Sequence, residues 1–462
     1  MASFLLFGAL TPAAQAETAD QSVLNGCHGV DAKMTLSDEG KLVETSKAVI
    51  VYERKSDTMV YTYNPDGKIY PSSMVKLMTA LVALENGKMT DKVTVTKRAL
   101  SFVAIGSVSA GLVSGEELTL GDLLYCLMTQ SANDAATVIA EHIGGSQDGF
   151  IKLMNEKATQ LGCLNTHYSN VHGLHDEQTY TTARDICRIL DAALENPDFK
   201  MLFQAKSYTV PKTNKSEARE IFSSNYMMCD ETVKKYLDGR VTGGKTGATN
   251  EAGRCLAATS EGMGMELLTI VMGAEATYEQ NGLAVKTFGS FEETKTLMDY
   301  VYGNFQYRQV FFQGQNMMQY HVENGMNDVV AQPENSCATV LPMDVEADQL
   351  TYLYSDIDGV ISAPVSRGEK LSTVQVWYGS KCLVQTNLVA AHEVAVWKEP
   401  VNITGIGQSN DLSVWAIIGI VLGSILGLCL IGVGVLYLRR MIFQMKRSVR
   451  SRKRRENRRR SR

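Results

Sequence analysis

Tyr70-Pro71-Ser72-Ser73-Met74-Val75-Lys76-Leu77-Met78-Thr79-Ala80 is the stretch from which the rest of the chain is read. Met74, Leu77, Met78, Leu81 and Leu84 recur at spacings of three and four. A helix is therefore expected from Ser73, closed by Gly87. Three positions apart on a helix, Ser73 and Lys76 face the same side, so the amine can reach the hydroxyl. Lys76 can take a proton from Ser73 only when neutral, and burial or a nearby positive charge lowers a lysine pKa. Taken alone, a serine and a lysine at this spacing read equally as a helix cap and a solvated cation.

Two further motifs follow in order. Ser131-Ala132-Asn133 falls in a turn between helices, where the hydroxyl can relay a proton and the amide can bind a substrate carbonyl. Lys245-Thr246-Gly247 follows Gly243-Gly244 and reads as the inner edge of a strand, the glycines admitting a ligand backbone. Lys245 and Thr246 would hold a carboxylate, and Lys245 also supplies the positive charge that depresses Lys76. The Ala248 amide can join that of Ser73 as an oxyanion hole, each such donor lowering the barrier by about 3–4 kcal/mol. Each motif alone is an ordinary turn or cap. Together they form a set able to run acyl transfer without a catalytic histidine.

The chain is long enough for two or three domains, and its composition is that of a globular protein. Its net charge of −5 hides an asymmetry. Arg439 to Arg462 holds 13 basic residues against one acid, Glu456, a net +12 that leaves −17 on the remainder. Leu412 to Leu438 is a run of 27 uncharged residues, longer than the roughly 20 needed to cross a bilayer. Trp415 and Tyr437 stand near its ends, and basic residues follow at once. A single transmembrane helix is expected over 412–438, with residues 439–462 as a basic cytoplasmic tail and the preceding body outside the cell membrane. The tail's position favours the anionic inner leaflet over nucleic acid. Residues 1–16 read as a signal peptide ending at Ala14-Gln15-Ala16, although no basic residue precedes the apolar run Phe4 to Leu10.

Between these ends the pattern divides. Residues 17–45 are a polar leader. Over 46–305, Ala48 to Tyr52 and Met59 to Tyr63 read as a β-hairpin, and Leu118 to Leu127, Asp134 to His142, Phe150 to Leu161 and Ala183 to Leu194 as helices. Arg240 to Lys245, Arg254 to Thr259 and Leu267 to Met272 read as strands before a helix over Phe288 to Phe305. Strands at both ends with helices between imply an α/β (α+β) body whose sheet is flanked by helices. Residues 306–396 carry short β-like runs and read as a small all-β domain, with 397–411 as a linker.

The conjunction of motifs resembles the D-alanyl-D-alanine carboxypeptidases among the low-molecular-mass penicillin-binding proteins. The resemblance is carried by Tyr70 to Ala80, Gly121-Asp122-Leu123-Leu124-Tyr125 leading to Ser131-Ala132-Asn133-Asp134, Asn170-Val171-His172-Gly173-Leu174, Thr181 to Asp185 and Ile361-Ser362-Ala363-Pro364-Val365. It spans roughly residues 46 to 395 and implies a fold like that of DD-peptidases and β-lactamases. It further implies Ser73 as nucleophile, Lys76 as base and Ser131 as proton carrier, with Asn133, Lys245, Thr246, Gly247 and Ala248 binding substrate. The implied substrate is a peptidoglycan stem peptide ending in D-Ala-D-Ala, and β-lactams would act as covalent inhibitors. No metal or other cofactor is implied. The family usually has glycine where Ala132 stands. Arg254 is a candidate for the extra arginine that some members use on the substrate carboxylate.

Nine cysteines show no paired spacing and read mainly as small buried residues. His167, His172 and His175 read as a surface loop rather than a metal site. Gly419, Gly423 and Gly427 align on one helical face, a pattern that can pair two spans into a homodimer. Two rivals accompany the carboxypeptidase reading. A β-lactamase of related fold needs a well-placed carboxylate to activate the deacylating water. A non-enzymatic β-lactam or cell-wall sensor would acylate without releasing D-alanine.

Overall fold

A computed structural model describes residues 35–229, 234–279, 285–355, 359–398 and 414–459. The expected signal peptide, most of the leader and nearly all of the linker lie outside them. Residues up to 397 form one unit, and residues from 398 onward form a second.

In the first unit, β1 (Ala48–Glu53) and β2 (Thr58–Tyr63) form the expected hairpin. The segment that carries Ser73 follows as a 3₁₀ turn over Ser72–Met74 and then α1 (Val75–Asn86). Every residue of α1 from Val75 to Ala83 is buried, as expected of a helix that is apolar all round. The second motif lies between α2 (Leu120–Tyr125) and α3 (Asn133–Gly144), followed by α4 (Gln147–Gln160), α5 (Ala183–Leu194) and α6 (Pro197–Phe203). Strands β3 (Val241–Thr249), β4 (Gly253–Gly262) and β5 (Met265–Ala274) complete an antiparallel sheet of order β2-β1-β5-β4-β3. Helix α7 (Gly289–Asn304) closes the body.

The sheet is covered on both faces, which explains the unbroken apolar run of β1. Ile50 and Tyr52 join the core formed with α1 to α6, whereas Val49 and Val51 join the core that includes Leu297, Met298 and Val301 of α7. This alternation is the two-residue period of a strand sandwiched between layers.

Two expectations change. The helix read over Leu118 to Leu127 begins only at Leu120, because the Thr119 side chain caps it by accepting from the Asp122 amide. After Tyr125 it widens into a π-helical turn, Cys126–Gln130. The last part of the leader, from residue 35, is packed onto the body. Leu36 and Val43 are buried, and the Leu36 and Ser37 amides donate to the Met59 and Val60 carbonyls. Glu293 on α7 accepts from the Thr45 amide at 2.7 Å, the Thr45 hydroxyl at 2.8 Å and the Ser46 amide at 3.1 Å.

The all-β region contains more strands than its sequence runs indicated. A five-stranded sheet contains β7 (Met318–Tyr320), β8 (Val329–Pro333), β10 (Leu350–Tyr354), β11 (Lys370–Tyr378) and β12 (Lys381–Ala390). A separate pair is made by β6 (Phe305–Phe311) and β9 (Cys337–Pro342).

In the second unit, a single helix, α8, runs Val414–Arg459. Its segment Ile418–Ile442 is long and apolar enough to cross a membrane, and none of it is buried. Those 25 residues extend about 37 Å.

Candidate active site

Three elements meet at Ser73. The 3₁₀ turn bends sharply: Ser72 has φ of 45°, a strained value for a residue with a side chain. Ser131 ends the π-helical turn with φ of 67°. Edge strand β3 passes directly against the first turn. A Cβ on Gly247 would stand 2.2 Å from Ser72 Oγ and 3.0 Å from the Ser73 amide nitrogen. Glycine at 247 is thus required by the approach of protein to protein. The same holds at Gly243 and Gly244, where a Cβ would meet Phe203 and Asn225. The sequence reading had assigned that space to a ligand.

Lys76 Nζ lies 3.0 Å from Ser73 Oγ and also donates to the His172 carbonyl. Lys245 Nζ lies 2.9 Å from both Ser131 Oγ and the Thr246 carbonyl. Both lysines are buried, with relative exposures of 0% and 1%. Each is held by hydroxyl and carbonyl oxygens, which do not neutralise an ammonium as a carboxylate would. Burial, with the charge of Lys245 added, drives Lys76 well below its usual pKa. Burial brings Lys245 down to about 7.

A cavity of about 220 Å³ opens over these groups. Ser73, Ser131, Thr246, Gly247 and Ala248 all line it, as does Arg254. Asn133 is buried at the start of α3 and is not among the lining residues. Its backbone N–H donates to the Val108 carbonyl at 2.8 Å, and Asp134 accepts from Ser109, Ala110 and Leu112, so α3 fixes one rim of the opening.

Several contributors carried no motif in the sequence. Ser224 Oγ lies 2.5 Å from Thr246 Oγ1. Tyr226, Phe288 and Phe291 line the cavity, and the Arg254 guanidinium lies 5.0 Å from the centroid of the Phe288 ring. His172, read as part of a surface loop, is partly buried and places its carbonyl on Lys76. Desolvation and Lys76 lower its imidazole pKa to about 4, so the ring is neutral at ordinary pH. The three histidines have separate surroundings: His167 bonds the Gln178 carbonyl, and His175 packs edge-on against Tyr70.

The elements expected from the cysteines also fall into place, with Cys126, Cys187, Cys229 and Cys255 buried as thiols. Cys255 lines the cavity wall opposite Gly247, and burial raises its pKa to about 11. It is therefore a packed thiol rather than a thiolate nucleophile.

A serine beside a desolvated lysine, faced by a second serine–lysine pair, defines a serine acyl-transfer site of the penicillin-binding type. The profile of the D-alanyl-D-alanine carboxypeptidase family matches residues 35–276, and that of the penicillin-binding protein 5 C-terminal domain matches residues 305–396. The D-alanyl-D-alanine carboxypeptidase DacF of Bacillus subtilis is 27% identical over 369 residues, covering 79% of this chain and 89% of its own length. DacA of Haemophilus influenzae is 26% identical over 358 residues, covering 76% and 85%. The crystal structure of penicillin binding protein 5 from Haemophilus influenzae superposes with a TM-score of 0.62 at 26% identity, covering 78% of this chain and all of that one. The chain belongs to the D-alanyl-D-alanine carboxypeptidase family of low-molecular-mass penicillin-binding proteins. It is a serine-type carboxypeptidase.

Proposed function

We propose that Ser73 is the acylated nucleophile in removal of the terminal D-alanine from peptidoglycan stem peptides. Neutral Lys76 takes the hydroxyl proton as Ser73 Oγ bonds to the carbonyl carbon of the penultimate D-alanine. The Ser73 and Ala248 amides receive the developing oxyanion. The C–N bond then breaks, and the leaving amine takes a proton from Ser131, which Lys245 restores. Water then adds to the ester carbonyl and passes a proton through Ser131 to Lys245, while the departing Ser73 oxygen takes back the proton held by Lys76, releasing the shortened peptide. Thr246, with Lys245 and Arg254, anchors the leaving residue's carboxylate, Gly247 lets β3 approach the nucleophile, and Asn133 steadies the acyl side.

The observation that carries this reading is the 3.0 Å approach of a fully buried lysine amine to Ser73 Oγ. A β-lactam would acylate the same hydroxyl, its leaving nitrogen remaining tethered to the acyl group. Among the described residues lining the cavity none is Asp or Glu, which supports slow release of that adduct over β-lactamase turnover.

We further assign residues 1–16 as a signal peptide, 46–305 as the catalytic domain and 306–396 as the β domain, with the packed segment from residue 35 belonging to the catalytic part. Residues 412–438 would cross the cell membrane once, leaving the active site outside and residues 439–462 in the cytoplasm. Gly419, Gly423 and Gly427 would form the contact face of any dimer of spans, tested by crosslinking in membranes.

The deciding experiment measures D-alanine release from a pentapeptide by the full chain in detergent, wild type beside Ser73→Ala. Release by the wild type alone is expected. Equal release by both removes Ser73 from the mechanism.

A further inference from the structure

The cavity over Ser73 has one polar and one apolar side. Thr246 and Arg254 mark the polar side, where the terminal carboxylate of a leaving residue is anchored under the proposed function. Next to them stand Tyr226, Phe288 and Phe291, their ring centroids 5.5 to 5.7 Å apart. Phe291 is buried in the core behind, whereas Tyr226 and Phe288 are only partly buried. Phe288 also covers one face of Arg254. A D-alanine anchored by its carboxylate offers this wall a single methyl group. The rest of the aromatic surface would then face water, which costs free energy in proportion to the area left exposed. A longer apolar side chain on the same α-carbon would cover it.

We infer that the leaving-residue subsite is an aromatic pocket that takes terminal D-amino acids with apolar side chains larger than methyl, Phe288 being the main specificity residue. The inference rests on the proposed roles of Ser73, Thr246 and Arg254. Reaction balance is unchanged: the same C–N bond is hydrolysed, and the larger D-amino acid leaves as the free amine.

The test uses the full chain in detergent with two pentapeptides, ending in D-Ala-D-Ala and D-Ala-D-Leu, and measures each released amino acid by mass spectrometry. The wild type is expected to cleave the D-Leu peptide with kcat/KM at least equal to that for the D-Ala peptide. Phe288→Ala should lower the D-Leu/D-Ala ratio by about tenfold, and Phe288→Leu should keep it within about threefold, since one or two methylenes in an apolar pocket command discrimination of that size. Using the ratio cancels any loss of Arg254 positioning, which acts on both carboxylates alike. Should Phe288→Ala fail to fold, Tyr226→Ala is expected to lower the same ratio. An unchanged ratio in the folded variant, or a wild type that favours D-Ala more than about tenfold, overturns the pocket while leaving the carboxypeptidase reading intact. Failure of the wild type to release either amino acid overturns both.

Discussion

A Cβ placed on Gly173 would stand 1.9 Å from the carbonyl oxygen of Ser72. The loop that carries the His172 carbonyl to Lys76 is thus pressed against the turn that carries Ser73. Asn170 holds this loop by accepting from the Gly173 amide at 2.7 Å and donating to the Leu174 carbonyl at 3.1 Å. Gly173 also has φ of 84°, so both its backbone and its missing side chain are demanded by the contact.

Gly173→Ala should therefore displace the Ser72–Ser73 turn. Misplacement of about 1 Å can cost about 100-fold in rate, and a loss of that order in acylation by a fluorescent penicillin is expected. Gly40→Ala, where the added Cβ meets nothing within 4 Å, is the control and should acylate as the wild type does. Equal rates for both variants would show that this contact does not set the geometry.

Lys76→Arg replaces an amine that is neutral under the proposed role with a guanidinium that stays protonated at all working pH, and so removes the base. Acylation should fall by about 10²- to 10⁴-fold, the usual range for loss of a general base. Stopped-flow acylation measures this directly. A variant retaining more than about a tenth of the wild-type rate would show that Lys76 acts only as a charge.

The pH profile should follow from the two lysines. Under the proposed roles, kcat/KM rises as Lys76 loses its proton, which burial and Lys245 move well below the ordinary lysine range. It then falls as Lys245 loses the proton it must supply, at about pH 7 in the free enzyme. The two steps belong to the interacting pair rather than to either residue alone. An alkaline limb near the usual lysine value would show that burial does not hold the Lys245 ammonium down.

Lys245→Met tests the stability side of the same arrangement. The folded value of about 7 lies below the ordinary lysine value of 10.5, so over that interval the unfolded chain binds a proton that the folded chain does not. Stability contributed by this site therefore rises with pH across the window. Lys245→Met should raise the unfolding midpoint at pH 7 and lose most of that advantage by pH 10, while removing activity. Denaturant unfolding at both pH values checks the sign.

Glu293→Gln should lower stability by about 1–3 kcal/mol, because the carboxylate accepts from Thr45 and Ser46 in a buried position. Urea unfolding gives the difference. No change would mean that the carboxylate's bonds to Thr45 and Ser46 add nothing and that the segment is held by Leu36, Val43 and its backbone bonds alone.

The parts of this fold legible in the sequence are those governed by local rules. Helix α5 runs from Ala183 to Leu194 as read, because Thr182 caps it and its apolar stripe continues without interruption. Ser73 and Lys76 meet because helix geometry alone brings them together. The pairing of Ser131 with Lys245 joins residues 114 positions apart and was recoverable only from the order of motifs. Tyr226, Phe288 and Phe291 had no such signal, since tertiary closure turns ordinary core aromatics into a cavity wall. Leu36 stands between Thr35 and Ser37, and Leu42-Val43 is an isolated apolar pair, so no periodicity marked their burial. The π-helical turn before Ser131 was masked by apolar spacing that suits an α-helix equally well.

Strand β3 lies at the edge of its sheet, with β4 on one side only. Half of its backbone donors and acceptors consequently have no strand partner, in the very row that ends at Thr246, Gly247 and Ala248. An extended peptide laid in this groove would continue the hydrogen-bond ladder, and its register would decide which of its bonds arrives at the serine. Open ladder edges are also where chains stick to one another. The groove beside Ser73 thus exposes a surface that a purely structural sheet would be selected to hide.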